Sequence, residues 1–213
     1  ALAEGSVKAE RLADLRTFGE VEYRSLDVGD AVALHSAVAQ AERRWGRPLS
    51  GVLHLASNDV SHQWERLEEH TVARASRREF AEAYRAKVHG TMAIAEVLQD
   101  RPDALLVLFS SVNGEFGGSS FGAYSSANSF LNGFADHWGR ERGRPVRCLS
   151  WSMWTDSGMN RGSPSAAAAS RGFLPIDDAG GLASLLAALG QDRVNLLIGL
   201  DRTIPAPVPT VAL

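Results

Sequence analysis

The sequence predicts an α/β fold built on a parallel sheet, and two patterns lead to that class. Short apolar runs at 51–56, 104–109, 146–151 and 194–200 alternate with segments of helical spacing, the order that crossover helices between parallel strands require. The run 104–109 (ALLVLF) is apolar on both alternating faces, as in a strand covered on its two sides.

Each element has its own reason. Residues 6–18 read as a helix and 20–26 as a first strand. Segment 30–45 places Val32, Leu34 and Val38 at helical spacing, with Asp30 as N-cap because its carboxylate can accept from the first free amides. Strand 51–56 follows, then an irregular stretch to about 75 and a helix over 77–99, stopped by Arg101-Pro102-Asp103. Beyond strand 104–109, the Gly- and Ser-rich segment 110–122 is a loop by composition. A helix from 121 to 142 ends at Gly143. Strand 146–151 leads into 155–175, whose Gly, Ser and Ala without periodicity suit a mobile lid. Asp177 and Asp178 cap a helix to about 189 before the last strand. Residues 1–203 read as one domain, and the Pro-rich segment 204–213 reads as an extended linker.

Composition narrows the function classes. With 213 residues the chain can bury a sizeable core. A net charge of −3 gives no reason to expect nucleic acid, and the arginines between 74 and 78 are too mixed for a phosphate track. No run of 18 apolar residues predicts a membrane span. The single Cys148 excludes an internal disulfide and fits a reducing compartment, so the expected location is the cytoplasm. The six His residues show no paired ligand spacing, and no metal site is expected.

Chemistry concentrates after the apolar run 104–109. Ser111 lies at the carboxyl end of its strand, where open α/β sheets bind ligands. Tyr124 follows thirteen residues later and Asn128 four after that. A Tyr hydroxyl has an unperturbed pKa near 10, and a nearby cation would lower it toward the range useful for proton transfer.

Together these residues resemble the active site of ketoreductase domains from modular polyketide synthases, a branch of the short-chain dehydrogenase/reductase superfamily. That branch carries Asn where most of the superfamily has the Lys of Tyr-x-x-x-Lys, and takes its Lys from the preceding helix. Lys87 in Tyr-Arg-Ala-Lys-Val-His-Gly-Thr (84–91) matches. So do Gly-Val-Leu-His-Leu-Ala (51–56), Trp-Ser-Met-Trp (151–154) with Gly158-Met159, and Arg-Gly-Phe-Leu-Pro (171–175).

The resemblance implies a Rossmann-like doubly wound sheet and NADPH-dependent reduction of a ketoacyl thioester, most often β-keto, on an acyl carrier protein. Lys87, Ser111, Tyr124 and Asn128 would be catalytic. Asp27, Val28, His54, Ala56 and Trp151, with Tyr124 and Lys87, would line the cofactor. Phe116, Trp154 and Met159 would line the substrate pocket. His54 by itself reads as structural, and Trp151 and Trp154 as equally good core residues.

Two departures stand out. The Gly of the family's His-Ala-Ala-Gly is Ser57 here, and Asn58-Asp59-Val60-Ser61 stands where one stereochemical class has Leu-Asp-Asp. No Gly-x-Gly-x-x-Gly follows a strand, so the first two strands of the fold are missing from the sequence. A second polypeptide or a further segment is expected to supply the Gly-rich loop between 20–26 and 51–56. The alternative is a non-catalytic structural domain that spaces its neighbours.

Overall fold

The computed structural model describes residues 6–58, 71–118, 121–159, 169, 172–201 and 203. Four strands, β1 (Gly51–His54), β2 (Leu105–Ser111), β3 (Val146–Trp151) and β4 (Asn195–Ile198), hydrogen-bond in chain order and run parallel throughout. Around them lie α1 (Val7–Arg16), α2 (Ala31–Trp45), α3 (Arg77–Tyr84), α4 (Gly90–Leu98), α5 (Val112–Phe116), α6 (Gly122–Asp136) and α7 (Asp178–Leu189).

Strand alternation decides which layer each β2 side chain enters. Leu106 and Leu108 point to one face, where they meet Ile94 and Leu98 of α4, Leu131 and Ala135 of α6, and Leu34 of α2. Val107 points to the other face, with Leu149 and Trp151 of β3 and Ala188 of α7. The sheet is therefore covered on both sides, as a doubly wound fold requires. Leu106, Leu108, Leu131 and Leu149 are fully buried, and each contributes about 1.5–3 kcal/mol of transfer free energy.

Capping behaves as the side chains dictate. Asp30 accepts from the Ala33 amide and Asp177 from the Gly180 amide, each satisfying a donor at the start of its helix. Ser76 and Glu79 form a reciprocal capping box at α3. Gly46 and Gly143 carry the positive φ with which a chain leaves a helix.

Three expectations are corrected. Residues 20–26 form no strand, because an extended segment becomes one only through a ladder partner, and β1 pairs only with β2 among the described residues. The segment 110–122 is not a loop throughout, since Ser111 caps α5 within it. The helix over 77–99 is not α-helical throughout: a π-helical turn at Arg85–His89 joins α3 to α4. The end strands also shorten to four residues each. The expectations for 59–61, for most of the lid segment 155–175 and for the linker 204–213 lie outside the described residues.

Candidate active site

Ser111 ends β2 and caps α5, so one residue couples the strand to the helix that follows. It is 7% exposed, and its Oγ accepts from the Asn113 amide at 3.2 Å. Its hydroxyl proton remains available for another acceptor.

Tyr124 and Asn128 stand one turn apart on α6 and face α5. Burial pushes the Tyr124 phenol above its ordinary value, opposed by hydrogen bonds to Ser111 and Asn128. These three side chains therefore meet at the carboxyl end of β2. Asn128 is fully buried and donates Nδ2 to the Tyr124 carbonyl at 2.8 Å, while its Oδ1 finds no protein donor.

Lys87 enters from the π-helical turn. The extra residue in such a turn changes the direction in which a side chain leaves the helix, and π-turns recur at functional sites. Lys87 is 5% exposed and donates Nζ to the Phe109 carbonyl at 2.8 Å. Thr91 returns its hydroxyl to the Lys87 carbonyl at 2.5 Å, fixing the turn from below. Burial lowers the Lys87 pKa to about 8. The expected lowering of the Tyr124 pKa by this cation is not found: desolvation dominates the phenol, and the ammonium is committed to Phe109.

His54 closes β1 and is 3% exposed, with Nε2 unpaired. Burial, reinforced by the neighbouring Lys87 charge, lowers its pKa to about 4, so the ring is neutral near pH 7. Val28 packs against it across Gly90, where a Cβ would come within 2.9 Å of the Val28 side chain and 3.3 Å of the imidazole. Asp27 is already engaged: it accepts from the Gly29 amide at 3.0 Å and from Arg85 Nε at 2.7 Å, and both bonds hold its carboxyl below the usual range. Ala56 lies half-buried just past the strand.

Of the aromatic candidates, Trp151 and Trp154 lie at and just past the carboxyl end of β3, and Phe116 ends α5. Trp151 is 4% exposed, stacked on Phe109 at 5.5 Å and edge-on to Trp154 at 5.1 Å. The Trp154 ring lies directly on the backbone of α7, where Gly181 leaves room for it. Phe116 packs against Phe173, ring centroids 6.0 Å apart, linking α5 to the end of the segment 155–175. Met159 is half-buried. Sequence reasoning missed the Phe109 carbonyl and Arg85; the first carries no side-chain signal and the second pairs with Asp27 across 58 residues.

A parallel sheet whose carboxyl edge gathers Ser111, Tyr124, Asn128 and Lys87 defines a domain of the short-chain dehydrogenase/reductase class. A family model described as the KR domain matches residues 3–156, and the chain belongs to this family, the ketoreductase domains of polyketide synthases. Polyketide synthase ThaG of Burkholderia thailandensis is 31% identical over 186 residues, which is 84% of this chain. Erythronolide synthase EryA3 of Saccharopolyspora erythraea is 32% identical over 184 residues, or 85% of it. The chain spans only 3% and 5% of those two relatives, which are far longer proteins. Among solved structures, an A-type ketoreductase from a modular polyketide synthase matches at TM-score 0.80 and 26% identity, over 93% of this chain and 40% of that one. A C2-type ketoreductase matches at TM-score 0.75 and 27% identity, over 99% and 43%.

Proposed function

We propose that this chain carries the catalytic groups of a ketoreductase that converts a ketoacyl thioester, most often β-keto, to the hydroxyacyl form. The thioester is presented by an acyl carrier protein, a partner supported by relatives that are multidomain synthases. The observation that carries the reading is the meeting of Ser111, Tyr124 and Asn128 above the buried Lys87.

NADPH is the proposed cofactor, and when bound it supplies hydride to the carbonyl carbon. The residues present fit its nicotinamide end. Asn128 Oδ1 and His54 Nε2 are buried polar atoms without protein partners, at the carboxyl ends of β2 and β1. Asp27 and Val28 lie on the adenine side, where Arg85 holds the Asp27 carboxylate in place.

The chain's own groups then divide the work. Ser111 donates its hydroxyl hydrogen to the substrate oxygen as negative charge develops, an interaction worth roughly 10²–10³ in rate. Tyr124 passes its phenolic proton to the same oxygen. Its raised pKa keeps the acid form present near neutrality. Asn128 Oδ1 orients a water or the Lys87 ammonium for the return of that proton. Phe116 and Met159 flank the acyl group, with Trp151 and Trp154 packing behind them.

The Gly-rich cofactor loop is proposed to come from a further segment or a second polypeptide seated beside β1. Support lies in the single ladder partner that β1 has among the described residues and in the exposed Leu53 and Leu55, at 56% and 57%. No helix among the described residues is long and apolar enough to cross a membrane. Together with the free, buried Cys148, this supports a cytoplasmic location.

The same open edge also favours a second reading, a domain that spaces its neighbours without catalysis. Replacing Tyr124 with Phe in the intact polypeptide tests the first. Reduction of a 3-ketobutyryl thioester should fall by 10² or more, with the circular dichroism spectrum unchanged; undiminished turnover rejects the assignment. A spacing domain would show no NADPH affinity in the same preparation.

A further inference from the structure

The helices α5 and α6 meet in three successive contacts. At the first, the Ser111 side chain lies near enough to the Tyr124 phenol to oppose the rise of its pKa. At the second, Gly114 lies so close to α6 that a Cβ would come within 2.9 Å of the Asn128 carbonyl carbon and 3.0 Å of the Ser129 nitrogen. At the third, Asn132 donates Nδ2 to Glu115 Oε1 at 2.8 Å. Residues 124, 128 and 132 are four apart and share one face of α6.

A helix of five residues has no stability of its own, so contacts with its surroundings decide where α5 sits. Ser111 is its N-cap: the backbone of Ser111 is held in the sheet opposite Trp151, while its Oγ accepts from the Asn113 amide of α5. A shift of α5 at Glu115 therefore reaches the Ser111 hydroxyl through the Asn113 amide and changes its direction toward Tyr124.

Asn132 is anchored independently of Glu115. It is 8% exposed, and its Oδ1 accepts from Cys148 Sγ at 3.2 Å and from Ser150 Oγ at 3.4 Å, both on β3. Its backbone carbonyl accepts from Asn195 Nδ2 of β4 at 3.4 Å. The Glu115 carboxylate only accepts, so the NH₂ group faces Glu115 and Oδ1 faces Cys148 and Ser150, whose hydrogens can turn to meet it. The sheet thus fixes the amide, and the amide fixes α5.

We propose that Asn132 and Glu115 are positioning residues for reduction, holding Ser111 at its working distance from Tyr124. This rests on the ketoreductase reading above. Neither residue contacts the substrate carbonyl; both act through the placement of α5.

The test inverts the polarity of one hydrogen bond. Asn132→Asp keeps an oxygen for Cys148 and Ser150 but sets a carboxylate against the Glu115 carboxylate. In the intact polypeptide, with NADPH and a 3-ketobutyryl thioester of a short pantetheine mimic, kcat should fall roughly tenfold to a hundredfold. KM for the thioester should change by less than about threefold, because the pocket walls are untouched. Glu115→Gln alone keeps an acceptor and should stay within about twofold of the parent. The double variant N132D/E115Q restores a hydrogen bond in the opposite sense, and its kcat should return to within about threefold of the parent.

An N132D rate equal to that of the parent overturns the proposal, as does a double variant that stays as slow as N132D. Should N132D fail to fold, Glu115→Ala removes the acceptor alone, and unchanged kcat there overturns it equally. If the parent itself reduces nothing, the ketoreductase reading has failed separately. The geometry is then read by NMR of ring-labelled tyrosine. Loss of the Ser111 hydrogen bond in N132D should move the Tyr124 titration upward and the double variant should reverse it; no movement refutes the positioning role.

Discussion

Lys87 Nζ lies 2.8 Å from the carbonyl oxygen of Phe109, one residue past the last pairing of β1 with β2 at His54 and Leu108. The Leu105 amide donates to the Ser50 carbonyl on the β1 side, and alternation along the strand turns Phe109 the same way. The ammonium thus satisfies a carbonyl that the shorter neighbouring strand leaves unpaired, and the pairing sets a buried charge beneath the proposed reaction centre.

That burial predicts a stability change with pH. The folded-state pKa of Lys87 is about 8 against 10.5 for the free side chain. Between these values the unfolded chain holds more protons, so raising the pH favours the folded state. The gain is on the order of 3 kcal/mol across the window. Cys148, raised by burial from 9.0 to about 12, acts in the opposite direction above pH 9. Denaturant midpoints of the parent minus those of Lys87→Met isolate the lysine, and this difference should rise from pH 8 to 10.5. A flat difference contradicts the buried charge.

His54 predicts acid sensitivity. Its pKa drops from 6.5 in the free side chain to about 4 in the fold, so the unfolded chain binds the extra proton first as pH falls below 6.5. Stability should therefore fall from pH 6.5 toward 4, again by on the order of 3 kcal/mol in full. Glu42, paired with Arg101 and lowered from 4.5 to about 2, adds its own loss below pH 4.5. Among the described residues the window from pH 4.5 to 6.5 belongs to His54. Unfolding followed by tryptophan fluorescence should show His54→Leu to be flatter there than the parent; equal slopes would assign the sensitivity elsewhere.

The open edge of β1 predicts self-association. Among the described residues one edge of β1 has no ladder partner, with Leu53 exposed on the strand and Leu55 just past it, and such an edge is a template for another strand. Sedimentation velocity on the chain by itself should show oligomers that grow with concentration. Leu53→Lys should reduce them severalfold without changing the fold, since Leu53 is already 56% exposed. Oligomers that persist unchanged would place the contact on another surface.

Much of the fold is legible in the sequence, because strand runs such as 104–109 and caps such as Asp30 and Asp177 are local features. Ser111, Tyr124 and Asn128 stood out by their order and spacing, and Lys87 joined them only through the resemblance to the ketoreductase family. What was misread depended on partners distant in sequence. Residues 20–26 have strand composition but no ladder, and 110–122 has loop composition but holds α5, which docks through Gly114 on Asn128.

The sequence by itself determined the alternation of helix and strand, the one-sided amphipathic patterns and the residues able to move a proton. Only the tertiary structure decided their charge states and directions. Desolvation depends on every element packed around a group. Burial of Lys87 under β2 and of His54 at the end of β1 therefore sets their pKa values, and the π-turn beneath Lys87 sets where its ammonium points.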